Sequence, residues 1–336
     1  MKQTREMKYS FGFAIVLGAA FFGVQGLAQA PDPNGAPNPY RMEENWAKLP
    51  DGRRMGQTIG VEVDRDGRSV WVFDRCGGTE CGNSNVAPIM KFDATGKFLT
   101  SFGAGVFNYP HGLGIDRDGN VYVTDERPKN GKGSIAMKFS PDGKPLITFG
   151  KPGMPGDGPD MLNGPSDIVV AQNGDIYIAD GHGGVTNDRI VKFSKDGKFI
   201  KAWGKHGKGR GELDSPHGIA LDSAGRLYVA DRINSRVQIF DPEGNVVGEW
   251  KQFGRPSSIA IDKDDNIYVA DTQSDAQRNP PFKQGIRIGS IKDGVVKAFI
   301  PSPSEAIGSP ESIAVDSAGV IYAGYVQKMA LRRWVK

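Results

Sequence analysis

The chain has few residues of the kinds that define several common protein classes. It contains two cysteines and four histidines among 336 residues, and it has no basic block that would suit a nucleic acid. Its longest apolar run, residues 11–24, is about fourteen residues long, whereas a stable membrane span takes about twenty. No long stretch shows helical periodicity, which disfavours α/β folds. We therefore expect a monomer that binds no nucleic acid and keeps no stable membrane span.

The first thirty residues indicate export. Lys2, Arg5 and Lys8 precede the apolar run, and small residues surround Ala28 after it. This order is typical of a secretory signal peptide cleaved after Ala28, and it predicts a periplasmic or secreted protein. The formal charge of +3 then falls to about +1, because the first eight residues carry a net charge of +2.

One sequence pattern occurs six times after position 59. It comprises a short apolar strand, an aspartate, a turn with glycine or asparagine, and an alternating strand that usually ends in aspartate. Further turn residues, such as those at 141–144, predict a second hairpin in each copy. Four strands in each of six units predict an all-β fold, a six-bladed β-propeller. The positions equivalent to Asp64 are Asp116, Ala171, Asp222, Asp262 and Asp316, which are 40–55 residues apart.

The last copy is one strand short. It ends with a predicted strand at 330–335, and we expect residues 45–49, around Trp46, to supply the missing outer strand of the blade that contains Gly319. Such closure would remove an exposed sheet edge. We accordingly divide the chain into a signal peptide at 1–28, a flexible lead-in at 29–43 and a six-bladed propeller at 44–336.

Three residues that can bind a metal occupy one repeat position, directly before the innermost strand. His111, His217 and Glu311 stand there in copies 2, 4 and 6, so they are related by about 120° around the axis. Innermost strands converge on the axis of a propeller, which brings these side chains towards one point. Two histidines and a glutamate form a known catalytic zinc set with an open position. A purely structural role in the turn before each strand is the competing interpretation.

Three long runs of the sequence are NYPHGLGIDRDGNVYVTD, DIYIADGHGGVTNDRIVKFSKDGKFIKAWG and SPHGIALDSAGRLYVADRINSRVQIF. These runs resemble peptidyl-α-hydroxyglycine α-amidating lyase, a six-bladed propeller of NHL repeats. The resemblance spans about residues 60–334 and includes the two Pro-His steps. That enzyme cleaves a carbinolamide C–N bond and releases a peptide amide and glyoxylate.

The resemblance implies a zinc ion on the axis, held by three histidines and flanked by arginines and a tyrosine. His111 and His217 match two zinc ligands, and Glu311 stands at the position of the third. Two arginines match as catalytic residues, and His182, a candidate general acid or base, stands at the tyrosine position. The matched arginines, which would hold a substrate carboxylate, are Arg75 and Arg232.

The resemblance also implies a structural calcium ion. Its ligands would be the backbone carbonyls of Val61 and Leu113 and an aspartate, at whose position this chain has Ser312. Cys76 and Cys81 enclose four residues in a chain predicted to be exported, so we expect a disulfide that stiffens the loop after Arg75.

The sequence thus predicts an exported, metal-dependent lyase-like enzyme that acts on a small hydroxylated or carboxylated substrate or on a peptide. Two alternatives stay open at this point. One is a non-catalytic propeller that binds a peptide or glycan on the same face, and the other is a lactonase-like hydrolase.

Overall fold

Twenty-four short strands occupy the part of the chain that the structure, a computed structural model, describes: residues 1, 32–184, 186–303 and 308–336. The predicted signal peptide and its cleavage site lie outside the described residues. The chain divides into two units, Met1–Pro31 and Asp32–Lys336, and all of these strands belong to the second. The described residues contain no helix, and hence none long and apolar enough to cross a membrane.

The strands form six antiparallel sheets of four, which we number as blades 1 to 6. Blade 1 contains β2 (Thr58–Val63), β3 (Val70–Asp74), β4 (Ile89–Phe92) and β5 (Phe98–Phe102). Blade 2 contains β6 (Pro110–Ile115), β7 (Val121–Asp125), β8 (Ile135–Phe139) and β9 (Pro145–Gly150). Blade 3 contains β10 (Pro165–Val170), β11 (Ile176–Asp180), β12 (Arg189–Phe193) and β13 (Phe199–Trp203).

The remaining blades follow the same order along the chain, except at the ring closure. Blade 4 contains β14 (Pro216–Leu221), β15 (Leu227–Asp231), β16 (Arg236–Phe240) and β17 (Val246–Trp250). Blade 5 contains β18 (Pro256–Ile261), β19 (Asn266–Asp271), β20 (Gly285–Ser290) and β21 (Val296–Pro301). Blade 6 contains β22 (Ser312–Val315), β23 (Ile321–Tyr325), β24 (Ala330–Val335) and, from the start of the chain, β1 (Arg41–Glu43).

The first strand of every blade lies on the central axis. Each of β2, β6, β10, β14, β18 and β22 contacts the next in a closed cycle, which confirms the predicted six-bladed propeller. Buried apolar clusters fill the space between neighbouring blades, because each sheet packs both its faces against another sheet. The axis is crowded: a Cβ on Gly112 would lie 2.5 Å from the Cα of Asp167, so only glycine fits there.

The aspartates of the repeat hold the turns, as expected for polar residues beside free backbone amides. Oδ1 of Asp116 accepts hydrogen bonds from the backbone nitrogens of Asp118 and Asn120, at 2.9 Å each. The aspartates that end the second strands accept bonds from the amides of the preceding loop. Oδ2 of Asp125, for example, lies 2.8 Å from the nitrogen of Asn108. These contacts fix the backbone at the end of each second strand, and with it the direction of the side chain that follows the aspartate.

The N-terminal segment closes the ring, but through different residues from those expected. The strand that pairs with β24 is β1, in which Met42 lies opposite Trp334, and not residues 45–49. Trp46 is instead a buried wedge between blades 6 and 1, with its ring 4.9 Å from that of Tyr322 and 6.0 Å from that of Phe92. The segment around Trp46 is therefore the one that closes the ring, but the residues that pair with β24 are Arg41–Glu43.

The propeller also begins before the expected boundary at residue 44. Asn34 Nδ2 donates to the carbonyl oxygen of Pro281 at 3.0 Å, and the backbone nitrogen of Lys283 donates to Asn34 Oδ1 at 2.9 Å. The nitrogen of Phe299 donates to the carbonyl of Pro37 at 3.1 Å. Residues 34–40, which we had assigned to a flexible lead-in, therefore pack along blade 5 and end at the buried Tyr40.

Candidate metal centre on the propeller axis

Two histidines enter the axis from the innermost strands of blades 2 and 4. His111 and His217 are the second residues of β6 and β14, and both are buried. Nδ1 of His111 lies 2.6 Å from the carbonyl oxygen of Ser166, and Nδ1 of His217 lies 2.6 Å from that of Ser257. A carbonyl can only accept a hydrogen bond, so both Nδ1 atoms carry the proton. Nε2 of each neutral ring then presents a lone pair, as metal-binding histidines do.

A third histidine completes the cluster from the loop after β11 in blade 3. The ring centroid of His182 lies 4.6 Å from that of His111 and 4.8 Å from that of His217. Nitrogen atoms of the three rings lie within 4.8 Å of one another, which suits a shared metal ion. The backbone nitrogen of His182 donates to the carbonyl of Gly164 at 2.8 Å and anchors this loop.

His182, and not the predicted Glu311, is grouped with the two axial histidines at distances that suit a shared metal ion. Glu311 lies beside the cluster, with Oε1 3.1 Å from Nε2 of His217, but the group of three within ligand distance contains His182 instead. The reason lies in the strand boundaries. His111 and His217 lie inside their strands, whereas the innermost strand of blade 6 begins one residue after Glu311, at Ser312. Glu311 thus approaches the axis from a loop.

One buried carboxylate of the centre was missed by the sequence analysis. Glu126 is 2% exposed, and its Oε1 lies 2.9 Å from Nδ1 of His182, while its Oε2 lies 3.7 Å from Nε2 of His111. It directly follows Asp125, just as Arg75 and Arg232 directly follow the corresponding aspartates of blades 1 and 4. The same repeat position that pointed to the arginines would have identified it.

Both predicted arginines lie in the site and are already held by the protein. Arg75 is 4% exposed; its Nε donates to the carbonyl of Pro110 at 3.2 Å, and its guanidinium stacks 3.6 Å from the ring centre of Tyr109. Arg232 Nη1 lies 3.4 Å from Oε1 of Glu311, and its Nη2 donates to Ser215 Oγ at 3.3 Å. Arg75 and Arg232 therefore flank the cluster with fixed positive charge.

Burial sets the charge of the cluster. It lowers the pKa of His111 well below 6.5, and nearby His182 adds to the shift. It lowers the pKa of His217 in the same way, with a contribution from the charge of Arg232. Burial opposes ionisation of Glu126 as well, but its interactions with His182 outweigh this and lower its pKa to about 2. At neutral pH His111 and His217 are therefore neutral, and Glu126 is ionised.

The residues present fit a divalent cation. Buried polar atoms without a hydrogen-bond partner in the described structure include Nε2 of His217 and Oε2 of Glu126, both in this cluster. Buried polar groups are otherwise nearly always paired, so two such atoms in one place indicate a group that binds them together. Imidazole nitrogen and carboxylate oxygen are the donors that zinc and neighbouring divalent metals prefer.

The residues do not reproduce the calcium set that the resemblance implied. Val61, Leu113 and Ser312 line one axial cavity, as expected, but Ser312 offers no carboxylate. Asp167, one of the acidic residues that do line this cavity, accepts hydrogen bonds from the backbone amides of Ile168 and Ile219 at 2.9 Å each. We derive no role for calcium in this chain.

The predicted disulfide is confirmed. Cys76 and Cys81 are bonded, with their Cα atoms 5.3 Å apart. The bridge begins at the residue after Arg75, and Cys76 has a φ of +54°, an unusual backbone conformation for a residue other than glycine. The nitrogen of Cys76 also donates to Asp74 Oδ1 at 3.1 Å. The bridge therefore fixes the backbone on which Arg75 is mounted.

The six four-stranded blades define the protein as a β-propeller. The family model of the NHL repeat matches residues 107–130 and 213–240 of this chain. NHL repeat-containing protein 3 from Homo sapiens is 30% identical over 311 residues, which cover 88% of this chain and 84% of that protein. The chain belongs to the NHL-repeat propeller family that includes this human protein.

Enzymes also resemble the chain. Peptidyl-alpha-hydroxyglycine alpha-amidating lyase 1 from Drosophila melanogaster is 36% identical over 235 residues, 60% of this chain and 40% of that protein. A solved gluconolactonase from Xanthomonas campestris superposes with a TM-score of 0.59 at 15% identity, over 84% of this chain and 86% of that one, and shares the fold. The predicted fold and the predicted resemblance to the amidating lyases are both confirmed.

Proposed function

We propose that this chain is an exported, metal-dependent lyase that cleaves a C–N bond in a small hydroxylated and carboxylated substrate, such as a peptidyl-α-hydroxyglycine. The observation that supports the proposal best is the convergence of three imidazoles at the axis. Two of them have their Nδ1 atoms tied to backbone carbonyls, which leaves the Nε2 lone pairs directed into the site. Similarity to the fly lyase supports the same reaction class.

In this proposal His111, His182 and His217 would hold a zinc or similar divalent ion. Such an ion acts as a Lewis acid that polarises a substrate oxygen. The side chains of His182 and Glu311 keep 13% of their surface exposed, while those of His111 and His217 keep 3% and 4%. A substrate would therefore approach the cluster from the side of His182 and Glu311.

The charged residues beside the cluster have distinct tasks. The guanidinium groups of Arg75 and Arg232 would bind the substrate carboxylate through paired N–H donors. Glu311, held by Arg232 at 3.4 Å, would accept the proton of the substrate hydroxyl. Because Glu311 lies beside His217, we assign the acid–base role to Glu311, and not to His182 as the sequence suggests.

The reaction needs no further reactant. As Glu311 removes the hydroxyl proton, the oxygen electron pair forms a carbonyl bond to carbon. The C–N bond breaks, its electron pair goes to the amide nitrogen, and that nitrogen takes up the proton. A peptidyl-α-hydroxyglycine thus gives a peptide amide and glyoxylate, with all atoms accounted for.

The test combines metal analysis with an assay for two products. Protein purified without added zinc is expected to contain about one divalent ion per chain, and a peptidyl-α-hydroxyglycine should give amide and glyoxylate in equal amounts. A sugar lactone is assayed in parallel. Hydrolysis of the lactone alone would favour a hydrolase, and protein without metal or turnover would favour a binding propeller for peptide or glycan.

Export is part of the proposal. An intramolecular disulfide suits an oxidising compartment, and the residues before position 32 have the charge and hydropathy order of a signal peptide. Cell fractionation of the tagged full chain should place it in the periplasm or medium, and its intact mass should show cleavage after Ala28. Recovery of the uncleaved chain from the cytoplasm would contradict this part.

A further inference from the structure

We propose that Glu126 is a positioning residue of the metal centre, which orients His182 so that this ring can serve as the third ligand. The inference rests on the proposed metal-dependent function and concerns a residue that the resemblance does not implicate. Three observations support it: the contacts of Glu126, the fit of the His182 loop around it, and the cost of burying its charge.

The two carboxylate oxygens of Glu126 face two different histidines. Oε1 lies 2.9 Å from Nδ1 of His182, which is a hydrogen-bonding distance for a ring N–H and a carboxylate. With Nδ1 facing Glu126, Nε2 is the nitrogen of His182 that remains for a metal. His111 and His217 have the same arrangement, with backbone carbonyls in the place of the carboxylate. All three rings would thus use Nε2, each held by a partner at Nδ1.

The loop that carries His182 is shaped around this carboxylate. Gly183 has a φ of +91°, and a Cβ at this position would lie 2.8 Å from Oε1 of Glu126. On the other side, a Cβ on Gly164 would lie 2.4 Å from the carbonyl oxygen of His182. Glycine at both positions lets the loop pass between blade 2 and its own blade at contact distance, which fixes the approach of the ring to Glu126.

A role in fold stability alone does not account for the residue. Glu126 is 2% exposed, and burying an ionised carboxylate costs free energy unless it is fully paired. Among the described residues, its one basic partner outside the histidine cluster within ion-pair distance is Arg127, whose side chain is 53% exposed, so that solvent screens the pair. Its Oε2 has no hydrogen-bond partner among the described residues and lies 3.7 Å from Nε2 of His111, which carries a lone pair. A carboxylate placed in this way suits a centre that binds a cation.

The experiment measures metal affinity in the full-length mature chain. The metal is removed with a chelator, and Zn²⁺ is titrated into wild type, Glu126→Gln, Glu126→Asp and the control Glu243→Gln. Glu243 lies in an outer turn of blade 4 with 75% of its side chain exposed, so the control makes the same change of charge outside the site. The dissociation constant of Glu126→Gln should rise about 10–100-fold, as found when other metal centres lose such a partner. Glu126→Asp should recover part of the affinity, and Glu243→Gln should match wild type.

Two spectroscopic measurements separate orientation of the ligand from a general loss of structure. The visible absorption of bound Co²⁺ reports coordination geometry, and it should change in Glu126→Gln but not in Glu243→Gln. In metal-free wild type, ¹⁵N NMR of the histidine rings should show His182 protonated at Nδ1. This second measurement needs neither the variant nor a metal, so it tests the contact even if Glu126→Gln does not fold.

The outcomes distinguish the two proposals. If wild type binds Zn²⁺ and Glu126→Gln binds it equally tightly with an unchanged Co²⁺ spectrum, the role of Glu126 is wrong while the metal-dependent function stands. A His182 ring protonated at Nε2 instead of Nδ1 would also overturn it. If wild type binds no divalent metal, the proposed function fails, and the role of Glu126 in the centre fails with it.

Discussion

Nε2 of His217, which carries no proton, lies 3.1 Å from Oε1 of Glu311. Nδ1 of His217 holds the ring proton in its bond to Ser257, and burial lowers the pKa of the ring well below 6.5. A lone pair therefore faces a carboxylate in a site that excludes most water. The same kind of pair recurs at 3.7 Å between His111 and Glu126. Two facing pairs of acceptors favour a cation between them.

Removal of His217 should abolish most metal binding and leave the fold intact. His217→Ala deletes one of three imidazoles, and the affinity for Zn²⁺ should fall by more than about 100-fold, beyond the loss expected for an outer partner. His206→Ala is the matched control, because that ring is 70% exposed and pairs with Asp188 away from the cluster. Metal content by mass spectrometry and far-UV circular dichroism provide the measurements. Equal metal content in the two variants would contradict the proposed centre.

The repeats made half of the site predictable. His111 and His217 stand at one repeat position in strands that must converge on the axis, so periodicity alone brings them together. His182 and Glu126 lie in loops after second strands, and their meeting depends on loop conformation, including the positive φ of Gly183. Such a conformation has no periodic signature. Periodicity also does not show that the strand of blade 6 begins one residue after Glu311, at Ser312.

At the ring closure, too, the repeats predicted one feature and left another undetermined. The count of strands per repeat required an outer strand from the N-terminal segment, and that requirement was correct. The exact residues were not predictable, because a three-residue ladder such as β1 is too short to show an alternating pattern. Trp46 is the largest apolar residue of the segment, and it packs between blades instead of pairing along an edge.

Stability should fall as pH rises, in part because of Glu62 in the axial cavity. Burial and the neighbouring Asp167 raise the pKa of Glu62 to about 8 from an ordinary value of 4.5. The folded state therefore keeps a proton that the unfolded chain releases above about pH 4.5. The stability due to this proton is complete below that pH and is lost as the pH rises through about 8. Glu62→Gln removes this titration. The Tm of the variant minus the Tm of wild type should therefore be about 2–5 °C larger at pH 8.5 than at pH 5.

The exposed Glu243→Gln variant controls for the change in net charge, and its Tm relative to wild type should not vary with pH in this range. Differential scanning calorimetry at both pH values gives the comparison. If the Tm difference between Glu62→Gln and wild type is the same at pH 5 and pH 8.5, Glu62 is ionised in both the folded and the unfolded protein, and the prediction is wrong.

Loss of the disulfide should affect the site more than the fold. The bridge between Cys76 and Cys81 closes a very short loop, so the chain-entropy model gives it only about 2 kcal/mol. It nevertheless fixes the backbone next to Arg75, the proposed ligand of the substrate carboxylate. The double variant Cys76→Ser/Cys81→Ser should lose only a few degrees of Tm, while KM for a carboxylated substrate should rise at least about tenfold. An unchanged KM would mean that the loop keeps its shape without the bridge.

The last prediction decides which residue is the third ligand. The sequence pattern favours Glu311, whereas the cluster of atoms within ligand distance contains His182. If His182 is the ligand, His182→Ala should lose most of the bound metal. Glu311→Gln should keep about one ion per chain, because the three imidazoles remain. Turnover should still fall about 10²–10⁴-fold in Glu311→Gln, as expected when a general base is removed. The opposite result, with metal lost from Glu311→Gln and retained by His182→Ala, would restore the assignment made from the repeats and move the acid–base role back to His182.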